Sequence, residues 1–194
     1  TGGLFMLVGQ AIVASEHFLN VKYDADTIDR VFRAVESDVE NIVLIGMPGC
    51  GKSSVGRELA AISGREFIDL DDEIAKVAGM PVPDIINRFG EAHFRALEAE
   101  AAALAGKKSG VVIACGGGTP LFEENRRALS QNGRLILLER DRNLLPTDGR
   151  PLSIDLEALE KARMPVYLAA ADDRVENNLS ARDTAKKIWE AHKA

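Results

Sequence analysis

Residues 46–53 read Gly-Met-Pro-Gly-Cys-Gly-Lys-Ser, a full match to the spacing G-x-x-x-x-G-K-[ST] between an apolar run and a helical one. Glycines at these positions let the chain turn its N–H groups inward around phosphate oxygens, and the helix that follows presents its positive end. Gly49, Cys50, Gly51, Lys52, Ser53 and Ser54 are the expected nucleotide-binding residues. Lys52 is spaced to reach β- and γ-phosphates, and the Ser53 hydroxyl to ligate Mg²⁺. Ser54 stands where a dinucleotide fingerprint needs its third glycine, which disfavours that class.

A phosphate loop binds a nucleotide without saying what receives the phosphoryl group. Candidates for that role fall after the other expected strands. Phe67-Ile68-Asp69-Leu70-Asp71-Asp72 puts Asp69 and Asp71 on one side of an extended segment, where one carboxylate could support Mg²⁺ and the other orient an attacking hydroxyl. The same residues also read as the acidic start of a helix. Gly116, Gly117 and Gly118 mark either a tight turn or a ligand brought against the main chain. Arg95 and Arg163 lie on expected helices, spaced for ion pairs with Glu91 or Glu98 and with Glu160. Equally, their planar forks could grip a carboxylate.

The elements that must position these groups alternate strand and helix from residue 42 onward, which predicts a parallel sheet covered on both faces. Strands are expected at about 42–46, 67–69, 111–115, 134–139 and 173–176. Helices are expected at about 52–63, 71–79, 83–105, 121–131, 154–170 and 180–192, the long one running through Gly90 at a penalty of about 1 kcal/mol. Ahead of them, apolar spacing predicts two amphipathic helices within residues 4–19 and 26–35, ended by the polar break Glu36-Ser37-Asp38.

The 194 residues are 46% hydrophobic and 28% charged, the balance of a folded globular chain. Thirty acidic against 24 basic side chains give a net charge of −6, which excludes a broad nucleic-acid footprint and leaves anions to local clusters. The apolar stretch from Leu4 to Ala14 is too short to span a membrane, and two cysteines are too few for a disulfide framework, so a cytoplasmic setting is expected. Cys50 reads as an inert small residue or as a point of sensitivity to thiol reagents.

Taken in order, GMPGCGKSS, FIDLDD, GEAHFR, GGG, and RPL followed by ARMPVY resemble the shikimate kinase family, from about residue 41 to the end. The resemblance implies an α/β, P-loop kinase-type three-layer sandwich with a five-stranded parallel sheet. It also implies transfer of a phosphoryl group from ATP to the 3-hydroxyl of shikimate with Mg²⁺. By motif, Asp71 would hold the shikimate hydroxyls as candidate base, Asp69 would support the metal, Arg95 and Arg163 would hold the carboxylate, and Gly116–Gly118 would approach the ring. Arg150 would match the lid arginine that closes over the transferring group, or be a solvated loop charge. The chain between Glu139 and Arg163 is short for the family, so the lid is abbreviated and the resemblance does not assign its adenine contacts; Asn177 and Asn178, after the last strand, are the candidates. Alternatives are another small-molecule kinase of related fold, acting on gluconate or a nucleoside monophosphate, and a nucleotide-binding module with little turnover.

Residues 1–40 resemble, through Gly3-Leu4-Phe5-Met6-Leu7-Val8-Gly9-Gln10-Ala11 and the helices after it, the C-terminal tail of shikimate dehydrogenase. That implies two units, 1–40 and 41–194, belonging to a longer fused dehydrogenase–kinase. Gln10 would match a shikimate-touching glutamine, and no dehydrogenase activity would remain. An unrelated helical extension is the other reading.

Overall fold

A computed structural model describes residues 2–24, 26–141 and 156–193. Five strands form one parallel sheet in the order β2-β3-β1-β4-β5. They are β1 (Asn41–Ile45), β2 (Phe67–Asp69), β3 (Val112–Ala114), β4 (Gly133–Glu139) and β5 (Asp173–Glu176). Strand β1 lies at the centre, with Ile42 opposite Val112 of β3 and Arg134 of β4.

Because successive strand side chains alternate, the apolar runs feed two cores. Val43, Ile45, Ile113, Leu135 and Leu137 face one way, toward α4 (Leu70–Ala78), α6 (Glu91–Gly106), α7 (Glu123–Ser130) and α8 (Leu156–Ala170). Ile42, Leu44, Val112, Ile136 and Leu138 face the other way, toward α3 (Lys52–Ser63) and α9 (Ala181–Lys193). Three layers result, and the carboxyl ends of β1, β3 and β4 open on one crevice, the usual ligand position in an open parallel sheet.

The expected helix 83–105 is two helices, α5 (Val82–Phe89) and α6. Gly90 separates them at φ 86° and ψ 164°, a conformation that residues with a Cβ avoid. The apolar spacing runs through this break, so periodicity alone does not reveal it. The turn lets α6 start afresh and carry Arg95 to the crevice.

Helices α1 (Gly2–Leu19) and α2 (Thr27–Val39) form a hairpin, with Phe5 and Phe32 edge to face at 5.3 Å. The polar break at Glu36-Ser37-Asp38 does not end α2. The last turn is held from outside: Arg65 donates to the carbonyls of Ser37 and Glu40, and Asn132 and the Gly110 N–H donate to that of Val39. These donors satisfy terminal carbonyls that a free helix would leave to water. The hairpin is thereby tied to the sheet domain through α2, while Met6, Leu7 and Phe18 of α1 remain exposed. No helix among the described residues is long and apolar enough to cross a membrane.

Candidate active site

The phosphate loop joins β1 to α3 as expected, with positive φ at Gly46 (141°), Gly49 (85°) and Gly51 (98°). Lys52 is 7% exposed and its Nζ donates to the carbonyls of Gly46 (2.9 Å) and Met47 (3.0 Å), so the lysine is drawn across its own loop. Cys50 is buried, its Sγ facing Gly46, which favours the inert reading over the reactive one.

Asp69 and Asp71 do not lie along one extended segment. Asp69 ends β2 and caps α4, accepting the Asp71 N–H at 3.1 Å, while Asp71 sits in the first helical turn. Capping turns the chain there, and both carboxylates still face the loop. The Ser53 hydroxyl donates to Asp69 Oδ2 at 2.5 Å. A hydroxyl and a carboxylate oxygen thus meet beside the loop, a donor pair suited to a hard cation that takes its remaining ligands from phosphate and water. Asp72 and Glu73 fit the acidic helix start instead, exposed and within 4 Å of Arg57 and Lys76.

Asp71 is half-buried. Burial, then the neighbouring carboxylates of Asp69 and Glu98, push its pKa up to about 6, against the pull of Lys52. A carboxyl at about 6 is matched to proton acceptance near neutral pH.

The three glycines show what surrounds them through the space they leave. A Cβ on Gly116 would stand 2.7 Å from Asp71 Oδ1, one on Gly117 would stand 2.8 Å from Pro48 Cγ and 3.2 Å from Arg163 Nη1, and one on Gly118 would stand 2.6 Å from Arg95 Nη1. The contacts to Asp71, Pro48 and Arg95 are closer than a Cβ allows and that to Arg163 is tight, so the run is glycine because functional groups crowd it from three directions. The tight-turn reading is incomplete. Residues from α4, α6, the β3 exit and α8 share one small space with Pro48 of the phosphate loop.

Arg95 is held in place on its inner side. Its Nη1 donates to Glu98 at 2.8 Å and its Nη2 to Glu91 at 2.9 Å, so both ion-pair partners foreseen from spacing are present. Glu98 is only 1% exposed, and its other oxygen accepts from the buried Thr119 hydroxyl at 2.8 Å. Tyr167, wholly buried on α8 one turn beyond Arg163, donates to the Gly117 carbonyl at 2.5 Å and pins the glycine run to that helix. Spacing flagged Glu98 only as a surface partner, and Tyr167 only as part of a motif.

Asn177 is not free to meet an adenine. Its amide donates to the Cys50 carbonyl at 2.7 Å and accepts from Thr184 at 2.8 Å, bracing the phosphate loop from behind. Asn178 is exposed and lines a cavity of about 300 Å³ with Met47, Arg140 and Asp141. Arg150 lies outside the described residues, as do residues 142–155, so the lid expectation has no structural counterpart here.

The shikimate kinase family matches residues 48–193. The chain belongs to the shikimate kinase family. A shikimate kinase of Thermodesulfovibrio yellowstonii is 36% identical over 77% of this chain and 93% of its own length. One from Rhizobium leguminosarum bv. trifolii is 35% identical over 92% of this chain and 97% of its own. The solved shikimate kinase of Acinetobacter baumannii in complex with shikimate superposes with a TM-score of 0.75 at 34% identity, covering 82% of this chain and 96% of the other. The Rhizobium match takes in more of the chain than residues 41–194 supply, so similarity to a shikimate kinase extends into the amino-terminal segment.

Proposed function

We propose that this chain transfers the γ-phosphoryl group of ATP to the 3-hydroxyl of shikimate, giving ADP and shikimate 3-phosphate in aromatic amino acid synthesis. The observation that carries it is the crowding of Asp71, Arg163 and Arg95 around Gly116–Gly118 beside the phosphate loop. A hydroxylated ring acid needs such a set: one carboxylate for the hydroxyls and two guanidiniums for the acid group.

In this mechanism Arg95 and Arg163 hold the shikimate carboxylate, with Arg95 oriented by Glu98 and Glu91. Asp71 accepts the proton of the 3-hydroxyl as its oxygen bonds to the γ-phosphorus and the bond to the β-phosphate oxygen breaks. Lys52 leaves the carbonyls of Gly46 and Met47 for the β- and γ-phosphates, and Arg150 closes over the equatorial oxygens. Ser53 and, through water, Asp69 would hold Mg²⁺, which supplies charge neutralisation on the phosphates. Positioning and electrostatics do most of the work, as phosphoryl transfer generally requires. The two free cysteines fit a cytoplasmic setting.

A coupled assay of ADP release tests the proposal. Shikimate should drive release with Mg·ATP at neutral pH, whereas gluconate and nucleoside monophosphates should not; no release with shikimate would refute it. Gly118→Ala should raise the shikimate KM at least about tenfold while changing kcat and the ATP KM little, because the added methyl displaces Arg95 and not the nucleotide. A change confined to the ATP KM would place Gly118 elsewhere.

The division at residue 40 and the fusion reading rest on the GLFMLVGQA resemblance and the two helices that follow it. The other reading, a helical extension unrelated to a dehydrogenase, is supported by the Rhizobium shikimate kinase match, which covers 92% of this chain. The mass of the native polypeptide, read by immunoblot, separates them: a fused dehydrogenase requires a band far above 21.0 kDa.

A further inference from the structure

The cavity lined by Met47, Arg140, Asp141 and Asn178 opens at the carboxyl ends of β4 and β5, on the outer side of the phosphate loop. Its charged lining is Glu139, Arg140, Asp141, Glu160, Arg174 and Glu176. Arg174 is paired with Glu139 at 2.9 Å, and Asp141 lends its N–H to Asn178. Arg140 is different: its Nε is buried without a hydrogen-bond partner among the described residues. Leaving a buried guanidinium N–H unmatched is unfavourable, so a partner is expected beyond the described residues.

The place of that guanidinium says what the partner is. Nη1 of Arg140 stands 3.6 Å from where a Cβ of Gly51 would lie, next to the loop residue that opens α3. Lys52 serves the inner side of the loop, near enough to Asp71 to act on its charge. A planar fork beside the loop, at the edge of a cavity that runs between the ends of β4 and β5 and the Glu160 and Met164 side of α8, suits an oxyanion of the nucleotide's phosphate chain. We infer that Arg140 is a further nucleotide-binding residue, gripping the phosphate chain of the donor from the β4 side of the loop. The inference rests on the proposed ATP-dependent reaction and adds to it a source of donor-side charge besides Lys52 and Arg150.

Calorimetric titration of ADP into wild type, Arg140→Met and Arg140→Gln tests this, with shikimate titrated in parallel. Arg140→Met keeps the bulk and removes the unmatched donors. The expected result is an ADP Kd raised at least about tenfold, shikimate affinity within twofold of wild type, and a thermal midpoint that does not fall. An ADP Kd within twofold of wild type overturns the inference while leaving the phosphate loop as the donor site. Should Arg140→Met not fold, Arg140→Gln decides by the same thresholds. Wild type that binds no ADP would remove the donor site and this inference together.

Discussion

Asp71→Asn is expected to lower kcat by about 10²–10⁴-fold while ADP binds as tightly as in wild type. The asparagine fills the same space beside Gly116 and keeps a hydrogen-bonding oxygen for shikimate, but it cannot take the proton of the attacking hydroxyl. The same substitution should make the protein more stable at neutral pH. The folded state raises the Asp71 pKa to about 6, so ionisation of this group opposes folding: the penalty is absent below the unfolded value near 4, grows as pH rises, and is complete above about 6. Its size is on the order of 2 kcal/mol, and Asn does not incur it. Thermal melts at pH 7 and pH 4 should show the variant ahead of wild type at the first and level at the second. Wild-type kcat/KM should fall about tenfold per pH unit below an apparent pKa near 6, because only the ionised carboxylate accepts a proton. Near-normal turnover in Asp71→Asn would remove Asp71 from the base role.

Lys52→Ala is expected to weaken ATP binding by at least about tenfold and turnover by about 10²–10³-fold. The lysine is the buried cation of the loop, and its two bonds to backbone carbonyls are ones a phosphate can replace. The variant loses charge where it develops in the transition state, so its deficit should be larger in kcat than in ADP affinity. Its fold should survive, since Asn177 and the α3 backbone continue to brace the loop. Calorimetry with ADP and a saturated turnover assay separate the two effects; unchanged ATP affinity would contradict the phosphate-gripping role.

What could be read from the sequence follows how local each feature is. The phosphate loop was legible because strand, turn and helix lie in one unbroken stretch, and the five strands because buried parallel strands are short apolar runs. Gly90 misled because apolar residues keep helical spacing on both sides of it, and spacing carries no backbone angle. Glu36-Ser37-Asp38 looked like a helix end because the groups that satisfy the last carbonyls, Arg65, Asn132 and Gly110, are distant in the chain. Glu98 had the spacing of a surface ion pair with Arg95. Only the approach of Thr119 and the glycine run from the β3 exit buries it. Arg140 carries no signal of its own, since its neighbours come from the parallel pairing of β4 with β5 and from the loop after β1.

The most direct measurement is a crystal structure with ADP and shikimate bound together. The 3-hydroxyl is expected within about 2.6–3.2 Å of the Asp71 carboxylate, with the acid group against Arg95 and Arg163 and the ADP β-phosphate in the loop at Lys52. Shikimate seated outside the space around Gly116–Gly118, or turned so that its acid group meets Asp71, would contradict the proposed site.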